Sequence, residues 1–208
     1  MISRAPTVRS AESSDAAAVA RIYAPYVQET PVSFETDPPS AAAMAGRISG
    51  TIETHPWLVA ERDGHIVGYA YAGKHSQRPA YRWTADVTVY VDGKVRRSGV
   101  GRALYFVLLG TLRRQGFRSA FAEIVLPNPD SIRLHEETGF RPIGVHQDIG
   151  FKLGRWHDIG YWRLGLSVDA TAPREPVPFA VFKKTTEFIN VLQVASQRTH
   201  ASAAANFL

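Results

Sequence analysis

Val87-Thr88-Val89-Tyr90-Val91, then Arg96-Arg97-Ser98-Gly99-Val100-Gly101-Arg102, then Ala103-Leu104-Tyr105-Phe106-Val107-Leu108-Leu109 read as strand, loop and helix. The first run is β-branched and aromatic, and the third is apolar at helical spacing. Gly99 and Gly101 lack a Cβ, so their amides can approach an anion, and a helix starting there aims unpaired N–H groups at the same place. Lys94, Arg96, Arg97 and Arg102 add four cations. Together they describe a pyrophosphate cradle for a large, multiply phosphorylated ligand. Taken alone, the fragment also reads as a glycine-softened turn with a solvated basic rim.

Two other phosphate loops are excluded. There is no Gly-x-x-x-x-Gly-Lys-Ser/Thr, and no third glycine with an acidic residue some twenty positions on. What remains is Arg96-x-x-Gly99-x-Gly101, and its surroundings extend the pattern. Pro56-Trp57-Leu58-Val59-Ala60-Glu61, Tyr69-Ala70-Tyr71-Ala72, Ala80-Tyr81-Arg82-Trp83-Thr84, Leu126-Pro127-Asn128, Leu134-His135-Glu136 and Gly150-Phe151-Lys152-Leu153-Gly154-Arg155-Trp156-His157-Asp158 complete a gapless series. The chain resembles the phosphinothricin (methionine sulfone) N-acetyltransferases of the GNAT superfamily, whose coenzyme A loop is Arg/Gln-x-x-Gly-x-Gly/Ala. The resemblance runs from about residue 7 to about residue 168. It implies one mixed α/β domain over 7–168, a twisted sheet with helices on both faces.

Composition agrees with one domain plus a tail. The 208 residues are 45% hydrophobic and 21% charged, enough to bury a full core. No apolar run suits a bilayer or a signal peptide, which predicts a cytoplasmic protein. Cysteine is absent, so disulfides and thiolate chemistry are excluded, and the seven histidines lack metal-ligand spacing, so no metal is expected. A net charge of +5 and a pI near 9.6 invite a nucleic-acid reading. The cations are dispersed apart from the glycine loop, however, and no basic-aromatic interleaving occurs. An anionic cofactor explains the cluster better than nucleic acid or membrane.

Along the chain, Thr7-Val8-Arg9 reads as a strand, Ala16–Thr30 as an amphipathic helix after a Ser13-Ser14-Asp15 cap, and residues 40–53 as a second helix capped by Ser40. Asp63-Gly64 marks a hairpin. Strands at Thr84–Val91, Ala120–Leu126, Pro142–Gly150 and Gly160–Leu166 and helices at Val100–Gln115 and Ser131–Thr138 follow. Residues 169–208 read as linker and a mobile, weakly helical tail, with a partner-binding or dimer-clasping arm as the alternative.

The resemblance implies attack of an amine on acetyl-CoA, and each demand of that chemistry has a position here. Asp86 stands where the family carries the glutamate that takes the amine proton. Asp is shorter by about 1.5 Å, which favours a water relay; a purely structural hydrogen bond across the sheet is its other reading. Main-chain groups of Val89, Tyr90 and Val91 and the loop Arg96, Arg97, Ser98, Gly99, Val100, Gly101 and Arg102 would hold the coenzyme. Asn128 matches a cofactor contact and reads equally as a helix start. His135, seven residues later, matches the proton donor to the departing thiolate, with a satisfied helix histidine as the alternative. Phe34, Arg78 and Tyr81 match positions lining the acceptor site; each also reads as rim packing or a solvated cation. Arg82 stands where some relatives carry an acid, which puts fine selectivity in question. The implied acceptors are phosphinothricin, methionine sulfone and methionine sulfoximine, with herbicide resistance as a consequence, and the implied assembly is a homodimer. Another amine (polyamine, aminoglycoside, protein N-terminus) and a non-catalytic acetyl-CoA sensor are the alternatives.

Overall fold

The strand Thr84–Val91 (β4) alternates as a strand buried on both faces must. Ala85 and Val87 face a core shared with the helix Val100–Gln115 (α3), and Tyr90 packs into a second core on the opposite face. This computed structural model describes residues 5–167 and 173–205. Around β4 lie Thr7–Ser10 (β1), Trp57–Arg62 (β2), His65–Lys74 (β3), Ser119–Leu126 (β5), Arg141–Lys152 (β6) and Arg155–Gly165 (β7). Their order is β1-β2-β3-β4-β5-β7-β6. Every neighbouring pair is antiparallel except β4 and β5.

That parallel pair creates the working geometry. β4 stays registered with β3 as far as Gly68↔Val91, but it pairs with β5 only at Thr84↔Ser119, Ala85↔Ala120 and Asp86↔Phe121. Beyond Asp86 the two strands part, leaving a gap inside the sheet. Helix α3 covers one face with Val100, Leu104, Val107, Leu108 and Leu112 buried. It ends at Gly116, whose positive φ of 99° lets its N–H bond the carbonyls of Leu112 and Arg113. The helices Ala16–Glu29 (α1) and Ala41–Ile52 (α2) cover the other face, packed on Trp57, Val59 and Tyr69. Ser40 caps α2 by accepting from the Ala43 amide at 3.1 Å. The short helix Pro129–Glu137 (α4) follows β5.

Two segments differ from the sequence reading. The strands expected at 142–150 and 160–166 are one continuous hairpin, because Leu153 and Gly154 both take positive φ and turn β6 directly into β7. The C-terminal segment, read as a linker and mobile, weakly helical tail, is helical and packed on the domain over its described part. Residues 168–172 lie outside the described residues, but Phe179–Phe182 (α5) and Thr186–Ala205 (α6) are helical. Phe179, Phe182, Phe188, Val191 and Ala195 are buried in the α3 core. The physical reason is spacing: apolar residues three and four apart give α5 and α6 a face that docks on α3 despite their polar composition. Before α5 the chain runs as a strap, with Val177 donating to the Gln115 carbonyl at 2.8 Å and Phe179 to that of Thr54 at 3.1 Å. Among the described residues no helix is long and apolar enough to cross a membrane.

Candidate active site

The glycine loop enters α3 through two residues in left-handed conformation, Arg97 at φ 59° and Gly99 at φ 78°. Gly99 is the N-cap, and the first helical bond is the Ala103 amide onto its carbonyl at 3.0 Å. The amides before Ala103 are therefore unspent by the helix and cluster at its positive end. The two glycines have different reasons. A Cβ on Gly99 would meet open space, so backbone conformation selects glycine there; a Cβ on Gly101 would lie 3.1 Å from Leu134 Cδ2, so helix packing does. The lack of a Cβ at Gly101 thus serves contact with α4, while its amide stays among those unspent by the helix. Ser98 Oγ donates to the Val95 carbonyl at 2.5 Å, and Arg62 reaches the Ser98 carbonyl at 3.4 Å. Arg96 lies over the Tyr26 ring at 5.5 Å, Arg97 pairs with Asp130 at 3.5 Å and Arg102 with Glu137 at 2.7 Å. These are exposed, weak pairs that an anion can displace.

The gap beside the loop presents backbone. The Asp92 amide donates to the Val67 carbonyl on β3 at 2.9 Å. By the two-residue alternation of an antiparallel ladder, Tyr90 also spends its N–H and C=O on β3, whereas those of Val89 and Val91 face the missing β5. Tyr26 Oη donates to the Val91 carbonyl at 2.6 Å. Tyr90 contributes a side chain instead, its ring 4.9 Å from both Tyr23 and Tyr26. A rigid aromatic floor results, continued by Tyr69 at 5.4 Å.

Asp86 marks where the strands part, its side chain on the α1–α2 face. His75, immediately after β3, brings Nδ1 within 2.7 Å of Asp86 Oδ1. The His75 ring stacks on Phe121 at 4.8 Å and tilts against Tyr81 at 5.7 Å. Burial raises the Asp86 carboxyl above its usual range, partly offset by the His75 hydrogen bond and charge. Glu123, two residues beyond Phe121 on the same face of β5, is also raised, by burial and by the charge of Asp86. Its cross-strand partner Tyr161 contacts His146 at 3.2 Å. His75 and Glu123 were not singled out by the sequence, although β-strand alternation from Phe121 could have found Glu123.

Of the proposed acceptor residues, Tyr81 contacts this cluster through His75, and Phe34 and Arg78 stand on separate elements. Phe34, in the loop between α1 and α2, is 36% exposed, 6.3 Å from the His157 ring and pressed against Gly150. That loop is fastened by Lys152, which donates to the Ser33 carbonyl at 2.6 Å, and by Glu35, which pairs with Arg47 at 2.7 Å and accepts from Tyr23 at 3.0 Å. Arg47 holds Glu35 below the usual carboxylate range. Arg78 and Tyr81 are exposed on the turn between β3 and β4. Arg82 is drawn away, to Glu175 of the strap at 2.6 Å.

His135 is placed elsewhere. It is buried on α4, 4% exposed, with Nδ1 bonded to the Ser131 carbonyl at 2.7 Å and Nε2 to Tyr105 Oη at 2.8 Å. A ring that donates through Nδ1 and accepts through Nε2 has spent both nitrogens, and burial lowers its pKa, so it stays neutral. The proton-donor expectation is corrected: His135 ties α4 to α3. Asn128 caps α4, its Oδ1 accepting from the Ser131 amide at 3.2 Å.

A cradle of unspent amides beside a backbone-lined gap suits a long ligand with an anionic group, and comparison with known proteins names the class. The acetyltransferase (GNAT) domain model matches residues 8–160. The chain belongs to this family and is an acetyl-CoA-dependent N-acetyltransferase. It is 40% identical over 170 residues to phosphinothricin N-acetyltransferase of Streptomyces viridochromogenes, spanning 82% of this chain and 92% of that one. It is 33% identical over 169 residues to L-methionine sulfoximine/L-methionine sulfone acetyltransferase of Salmonella typhimurium, spanning 79% and 96%. A crystal structure of a GNAT superfamily phosphinothricin acetyltransferase from Sinorhizobium meliloti in complex with acetyl-CoA matches with a TM-score of 0.80 at 36% identity, covering 84% of this chain and 96% of that one.

Proposed function

We propose that the chain acetylates the α-amine of a small amino-acid-like acceptor whose side chain ends in tetrahedral polar oxygens, as in phosphinothricin or methionine sulfone. The observation that carries this reading is the Asp86–His75 cluster where β4 and β5 part, with Tyr81 packed on the His75 ring. The relatives named for such acceptors support it.

Acetyl-CoA supplies an activated acyl group. The unspent amides at the start of α3 and the cations Arg96 and Arg97 would hold its pyrophosphate, and the main chain of Val89 and Val91 its pantetheine arm. An amine attacks only when neutral, and the negative charge of Asp86 draws its proton off, directly or through a relay. Arg78 is suited to the acceptor's carboxylate and Phe34 to an apolar wall. The exposed Ile143, Val145, Phe151 and Trp156 of the β6–β7 hairpin support pairing with a second copy.

Steady-state acetylation of amino acids and their sulfones, alongside spermidine, an aminoglycoside and a peptide N-terminus, tests the acceptor. Methionine sulfone should far outpace methionine, because site donors go unpaired without the sulfone oxygens. Preference for a polyamine or aminoglycoside would sink this acceptor and leave the enzyme class intact; binding of acetyl-CoA without turnover of any amine would make the chain a sensor.

A further inference from the structure

The loop after β3 carries a side chain that the acetyl-transfer reading does not yet use. An ionised Asp86 carboxylate has only lone pairs to offer, so the 2.7 Å contact from His75 Nδ1 requires the proton to sit on Nδ1. In a neutral imidazole that tautomer leaves Nε2 as an acceptor, and no hydrogen bond to Nε2 is made among the described residues. The ring is gripped by Phe121 at 4.8 Å and Tyr81 at 5.7 Å, yet its side chain keeps 30% exposure. An imidazole oriented by a half-buried acid, held by packing and still reachable has the geometry of a general base. It also answers the length problem at position 86. Where a carboxylate one bond shorter falls back toward the strand, the imidazole Nε2 offers a proton acceptor further out.

We propose that His75 Nε2 takes the proton of the acceptor's ammonium group, with Asp86 acting as its positioning residue. The inference rests on the reading that the Asp86 cluster is the acceptor side of the gap. Nε2 takes the first proton before the C–N bond forms and passes it to water. The nitrogen's electron pair then makes that bond, the C–S bond breaks with its pair on sulfur, and the second proton from nitrogen ends on that sulfur. One ammonium and one thioester become one amide, one thiol and one released proton. The groups facing the ring are Asp86 from β4, Glu123 from β5 and Tyr81 from its own loop.

The test replaces the base while keeping a hydrogen-bond donor for Asp86. His75→Gln should lose about a hundredfold in turnover at neutral pH with an unchanged KM for acetyl-CoA, and the acid limb of its pH profile should move down toward the carboxylate range. Added imidazole should restore part of the turnover of His75→Gly. Turnover of His75→Gln within about threefold of wild type, with the acid limb in place, overturns the proposal. A panel on which the wild-type enzyme acetylates nothing overturns the proposed function instead, and the dyad is then read without any acceptor by nitrogen-15 NMR of the histidines. A His75 ring protonated at Nδ1 and disturbed by Asp86→Asn supports it; a ring protonated at Nε2, or indifferent to Asp86→Asn, overturns it.

Discussion

The indole Nε1–H of Trp83 donates to the carbonyl oxygen of Arg174 at 2.8 Å, across ninety-one residues of chain. With the adjacent Arg82–Glu175 pair, this bond fastens the strap to the turn that carries Arg78 and Tyr81. The two contacts differ in weight. Glu175 is 67% exposed, so Glu175→Ala should leave the melting temperature nearly unchanged. Phe182, 2% exposed, is an anchor of the helices that follow, and Phe182→Ala should cost about 3–5 kcal/mol, lowering Tm by roughly 10 °C in calorimetry. If the strap steadies the turn, the same variant should raise the KM of the acceptor more than that of acetyl-CoA.

The glycines of the loop should separate by assay. Gly99→Val forces a β-branched residue to φ 78° and should weaken acetyl-CoA binding at least tenfold, about 1.4 kcal/mol, in titration calorimetry. Gly101→Val drives a side chain into Leu134 and should show mainly as a lower Tm. Unchanged affinity in Gly99→Val would remove Gly99 from the anion site.

Asp86→Asn should depress turnover a hundredfold or more while sparing acetyl-CoA affinity. Its stability should move the other way. A carboxyl raised by burial is easier to ionise in the unfolded chain, so its contribution to stability is present below the unfolded pKa and lost as pH rises through the folded one. At pH 7 the amide should therefore melt above the wild type, an exchange of stability for function common at active sites.

His135→Phe should leave turnover at pH 8 within about threefold of wild type and lower stability by about 1–3 kcal/mol, because Tyr105 Oη loses its buried partner. Burial lowers the pKa of His135, as it lowers that of His55 to about 4. A histidine held neutral in the fold binds its proton more readily when unfolded, so stability falls as pH drops below the ordinary histidine value toward the folded one. The decline in Tm as pH falls below about 6.5 should be shallower in His135→Phe. Abolished turnover at every pH would return His135 to the chemistry.

What the sequence conveyed was local. β4, the glycine loop and α3 follow from alternation, conformation and helical period within consecutive residues, as does the Asp63-Gly64 turn, both of whose residues take positive φ. The Leu153-Gly154 turn carries no Asn or Asp to announce it, and the prolines before Phe179 and the lysines and polar residues around Phe182 and Val191 hid a docking face behind a linker's composition. The site was harder to read because register made it. Gly73↔Asp86 pairing lets the chain turn after Lys74 and bring His75 back over Asp86, a contact between strands that no spacing along the chain records. His135 failed for the converse reason: its distance from Asn128 fits a motif, but the helix turns that face toward Tyr105.

Helix α3, which begins at the anion cradle, is sandwiched between the sheet and residues 188–195. Synthesis therefore reaches the family's matched region long before the core can close. Until residue 195 has left the ribosome, the hydrophobic side of α3 stands open to chaperones and to other nascent chains. Deleting α6 would leave that side of α3 uncovered in the finished chain.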